Sequence, residues 1–99
     1  MNTAEKLEVL KTVYTDEAAL DRLLAKLLET VLAENRLRLQ RYEQALREFE
    51  TRYTMASDTF YQRFQAGELG DAMDFFEWAG LYDLRQDLLA KIARLEAAV

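Results

Sequence analysis

The chain contains no histidine and no cysteine. Without them it lacks the usual general base near neutral pH, any thiolate nucleophile, a disulfide framework and most zinc-ligand sets. Proline is also absent, and glycine occurs only three times in 99 residues, so little interrupts a helix over most of the length. No apolar run approaches the roughly 20 residues needed to span a bilayer. The first residues, Met1 to Lys6, lack the basic-then-apolar pattern of a signal peptide. The expectation is one cytoplasmic, non-enzymatic domain with no membrane segment and no cofactor.

What is present belongs to long helices. Hydrophobic residues make up 51% and charged residues 31%, the balance of an ordered chain and not a disordered one. Between 16 and 52 the residues Leu28, Leu32, Asn35, Leu39, Tyr42, Leu46, Phe49 and Tyr53 recur at alternating spacings of four and three, which is a heptad seam. Leu20, Leu23, Leu24, Leu27 and Val31 add a second apolar row upstream, so that end is expected to touch more than one neighbour. A helix over 16–52 runs about 55 Å, too long for a compact monomer. A dimer or higher homo-oligomer built mainly from residues 20–46 is the expectation.

Residues 1–15 form a short separate element. Leu7, Leu10 and Tyr14 fit a helix over 4–13, whereas Thr12 to Thr15 is β-branched and aromatic and leaves a strand open. Thr15 before Asp16 and Glu17 is a good cap for the long helix. Residues 53–71 read as a corner. Ser57 can cap a short helix over 58–66, Gly67 can end it in the left-handed conformation, Gly70 frees the backbone again, and Asp71 can cap a final helix over 72–99. Phe60, Phe64, Leu69, Phe75 or Phe76, and Trp78 are expected to converge and pin this corner. The last helix continues through Leu81, Leu88, Ile92, Leu95 and Val99, again in three-and-four spacing. Gly80 inside it implies a close approach by the long helix. Asn35 and Arg85 interrupt the two seams, either to set register or simply to reach water at a flared part of the interface. The fold class is therefore all-α: an antiparallel helical hairpin joined by a glycine corner.

Charge narrows the partners. The net charge is −5, which disfavours nucleic acid, whose affinity rests on neutralising phosphates. Residues 1–53 carry nine Lys/Arg against ten Asp/Glu, and residues 54–99 four against eight, so the acidity is concentrated in the second half. Such a half suits a basic protein surface, although an ordinary solvated face reads the same way. Arg36, Arg38, Arg41, Arg47 and Arg52 are scattered around the helix axis and do not form a nucleic-acid stripe. Glu68, Asp71, Asp74 and Glu77 recur every third residue, but capping and exposed polar positions account for them better than a metal does. Gly67-Glu68-Leu69-Gly70-Asp71 has neither the lysine nor the preceding strand of a phosphate loop.

Tyr42-Glu43, Tyr53, Met55, Ser57, Phe60, Phe64, Gly67 to Asp71, Asp74 and Trp78, followed by a leucine-rich helix, carry a family likeness. Residues 42–95 resemble the C-terminal half of small bacterial, cyanobacterial and archaeal proteins, some described as antitoxin components of toxin–antitoxin pairs. The departure is Thr54, where that pattern leads one to expect glycine. The resemblance implies a non-catalytic partner that masks a small, ribonuclease-type toxin. On that reading Leu24, Leu27, Val31 and Leu32 form the apolar anchor, and Glu68, Asp74, Glu77 and Asp83 steer a basic partner. The competing expectation is a structural homo-oligomer whose seams simply bury each other.

Overall fold

The computed structural model describes residues 1–99 and contains four helices and no strand: α1 (Thr3–Val13), α2 (Glu17–Tyr53), α3 (Ser57–Gln65) and α4 (Met73–Ala98). The N-terminal element is thus helical. Asn2 starts it by accepting the Glu5 N–H on Oδ1 at 2.8 Å, which satisfies a donor that the first turn otherwise leaves open. The cap of α2 is Asp16, not Thr15: its Oδ1 accepts from the Ala18 N–H at 3.0 Å.

The predicted seams face each other. Every residue of the α2 series from Leu28 to Tyr53 is buried or half-buried, and α2 packs chiefly against α4. Two clusters result. Leu46, Phe60, Trp78 and Ala79 form one at the corner, and Leu32, Leu88 and Ile92 the other toward the open end, flanked by Leu39, Tyr42 and Leu95. Asp74 lies beside Arg52 at 2.8 Å and Glu96 beside Arg36 at 3.3 Å. The C-terminus of α4 therefore reaches only the middle of α2, and Glu17–Leu27 projects beyond it. The molecule measures 59 × 23 × 17 Å with a radius of gyration of 19.6 Å, against about 13 Å for a compact chain of this length.

The corner differs in detail from the expectation. Gly67, at φ +73°, does end α3 in the left-handed conformation. The Gly67 N–H reaches the Phe64 carbonyl at 3.1 Å and the Glu68 N–H the Arg63 carbonyl at 3.0 Å, the paired bonds of a Schellman ending. Ser57, by contrast, is the first residue of α3 and not its cap. The end of α3 is held instead by Glu50, whose carboxylate accepts the Ser57 N–H at 2.8 Å, so a side chain of the last turn of α2 satisfies the next helix. Asp71 does not cap α4, which begins after Ala72 with no side-chain cap bond. Gly70 is not in the left-handed region, so nothing there requires glycine. The close approach inferred at Gly80 is also absent: Gly80 is exposed, and no atom lies within 4 Å of where its Cβ would stand. Thr54 supplies the second left-handed residue, at φ +51°. It lets α2 end with the Met55 N–H on the Glu50 carbonyl at 3.2 Å.

Candidate functional site

Two surfaces bear on function: the corner, which is closely packed, and the projecting N-terminal end, where Leu24 and Leu27 are exposed. At the corner the indole of Trp78 stacks on Phe60 with centroids 3.8 Å apart and planes 2° from parallel. Phe49 lies 5.6 Å from it and Tyr53 5.7 Å, both contributed by α2. Phe64 and Phe75 complete the group through Phe60, and Phe76 meets Phe64 edge-on at 5.5 Å. Trp78 and Phe60 are fully buried. The indole N–H donates to Ser57 Oγ at 2.9 Å, so the one buried polar side chain and the buried indole N–H satisfy each other.

Around this stack, three tyrosine hydroxyls donate to aspartates. Tyr53 donates to Asp74 at 2.6 Å, Tyr61 to Asp83 at 2.6 Å and Tyr82 to Asp58 at 2.8 Å. Each tyrosine is held above the usual 10.0, first by its bond to the ionised partner and then by desolvation. Asp74 is held below the usual carboxylate value by the Tyr53 and Arg52 bonds. Arg85 is half-buried, its guanidinium 3.7 Å from Asp58 and 5.3 Å over the Tyr82 ring. These pairings tie α3 and α2 to α4. They join residues 21 to 24 positions apart, and no local rule reveals such pairs in a sequence. Tyr61 and Tyr82 therefore join the corner without a sign in the sequence, whereas Phe49 enters it from the heptad seam by stacking on Trp78.

The four acids expected to steer a partner are not equivalent. Asp74 and Asp83 are engaged by the tyrosines, and Glu68 pairs with Arg63 at 3.4 Å. Glu77 is exposed and makes no side-chain hydrogen bond or ion pair. No three carboxylates converge as metal ligands. Of the apolar anchor, Leu32 is buried against Leu88 and Ile92 and is spent inside the molecule. Leu24, Leu27 and Val31 remain exposed, Leu27 by 50%. α1 likewise buries no residue and exposes Leu7, Val9 and Val13. A shallow groove lined by Leu28, Val31, Leu95 and Ala98, with Lys91 and Arg94 at its rim, opens beside this end. Asn35 borders the groove and donates to the Val31 carbonyl at 2.7 Å, so its amide is occupied by its own helix. No helix is long and apolar enough to cross a membrane. Comparison with protein-family models, curated proteins and solved structures returns no match.

Proposed function

We propose that the protein is a non-catalytic protein-binding module: an antiparallel helical hairpin whose projecting N-terminal end captures an apolar surface of another protein. The uncovered stripe of Leu24, Leu27 and Val31 on α2 carries this reading; Leu7, Val9 and Val13 of α1 are exposed as well. Exposed apolar residues gathered at one end of an elongated molecule are the usual mark of an interaction surface. The antitoxin-like form of the reading, in which the partner is a small basic toxin, draws on the acidic second half of the chain and on the likeness read in the sequence of residues 42–95, which no family model matches. The test is co-expression with the product of the adjacent gene, followed by size-exclusion chromatography. A toxic neighbour that is neutralised and co-elutes is the expected result, with Leu24→Ser/Leu27→Ser abolishing the complex but not the fold. A harmless neighbour, or no complex, removes the antitoxin form.

A structural homo-oligomer is the second reading, favoured by the elongated 59 Å shape. Only about eight buried residues hold the monomer together, and the same stripe can close on a second copy. Light scattering on the isolated protein separates the two readings, since a hetero-specific stripe leaves a monomer.

A further inference from the structure

Gly80 is a helical glycine without an internal reason. It stands in the interior of α4, exposed, with φ outside the left-handed region and no neighbour within 4 Å of its missing Cβ. Glycine there lowers helix stability relative to alanine. At about 3.6 residues per turn, Met73, Phe76, Gly80 and Leu84 share one line along the side of α4 turned away from α2. The three large members are exposed by 73%, 54% and 51%, and Phe76 is braced from behind by the edge of Phe64. The line is therefore an apolar ridge with a one-residue notch at its middle. A missing side chain in a ridge allows a crossing helix to approach at the short end of the normal 8–10 Å range.

The charges beside the notch identify what crosses it. The segment Met73–Leu84 contains Asp74, Glu77 and Asp83 and no lysine or arginine, and Asp87 follows one turn later. Glu77 flanks the notch on one side and Asp83 on the other, Asp87 lies on the line of the ridge two turns beyond the notch, and Glu77 and Asp87 have no ion-pair partner within the chain. A second copy crossing at Gly80 sets these acidic rims against each other, which disfavours it. We infer that the Phe76–Gly80–Leu84 ridge docks an amphipathic helix of another protein, one that seats a large apolar side chain at Gly80 and flanks it with lysine or arginine. This surface is separate from the N-terminal stripe and does not depend on the reading given for it.

The experiment uses the full-length protein and a labelled helical peptide of about 20 residues, with leucine along one face and lysine and arginine beside it. A control peptide carries glutamate at every basic position. Fluorescence anisotropy should show binding of the basic peptide only. Gly80→Ala should weaken that binding by about tenfold while raising the melting temperature, because the added methyl fills the notch and meets nothing inside the chain. Glu77→Gln/Asp87→Asn should weaken binding and flatten its salt dependence, with the melting temperature unchanged. Equal binding of both peptides, or binding indifferent to Gly80→Ala, overturns the proposal. A dimer of the isolated protein that Phe76→Ser/Leu84→Ser dissociates also overturns it, because a second copy is then the occupant.

Discussion

At the scale of single residues, the corner concentrates both strength and strain. Trp78→Ala removes the ring on which Phe60, Phe49 and Tyr53 stack, and should cost about 3–5 kcal/mol in a urea titration. Ser57→Ala leaves the ring in place but orphans its buried N–H, so a loss of about 1–3 kcal/mol is expected. If Ser57→Ala is neutral, the bond is not a structural requirement. Thr54 works in the opposite direction. A β-branched residue at φ +51° occupies a conformation that glycine reaches freely, so Thr54→Gly should stabilise by about 1 kcal/mol. The glycine expected at that position from the sequence pattern is thus the residue the backbone favours. Ser57 shows the limit of local reading: its type suits a helix cap, yet the cap bond comes from Glu50, seven positions upstream.

At the scale of helices, periodicity located the elements well because one face of each long helix is buried over many turns. The seam from Leu28 to Tyr53 meets the face of α4 that includes Trp78, Leu88 and Ile92, and three-and-four spacing is a direct record of such burial. Periodicity cannot say how much of a seam is covered: Leu24 and Leu32 share one pattern in the sequence, yet Leu32 packs under α4 and Leu24 is exposed. The ties between helices respond to pH in a defined way. Asp74 is depressed, so its bonds to Tyr53 and Arg52 stabilise the fold above the ordinary carboxylate range and are lost as pH falls through its folded value. The three tyrosines are raised, so their contribution is complete below pH 10.0 and lost as pH rises through their folded values. Melting temperature should therefore decline at both ends, and Tyr53→Phe/Tyr61→Phe/Tyr82→Phe should flatten the alkaline decline. An unchanged alkaline limb in the triple variant would sink this account. α1 buries nothing, so deleting residues 1–15 should shift the melting temperature by less than about 4 °C.

At the scale of the whole molecule, packing is graded along 59 Å. One end holds the aromatic stack and its tyrosine–aspartate ties, whereas the other presents α1 and the first turns of α2 with little beneath them. Hydrogen exchange should follow this gradient, fast in Thr3–Val13 and slowest around Phe60 and Trp78; uniform protection would contradict it. The all-helical class and the packing of α2 on α4 were legible in the sequence because composition and period agreed, but a partner was not, since an uncovered face does not say what, if anything, meets it. The solitary tryptophan carries a further consequence for anyone who watches this protein unfold. Its emission comes from a single indole sealed at the corner, so fluorescence reports that end and is blind to the other. Far-ultraviolet circular dichroism, by contrast, averages over all four helices. The two signals should part company on heating, the dichroism falling first as the uncovered end frays, and their separation measures how far this chain departs from all-or-none melting.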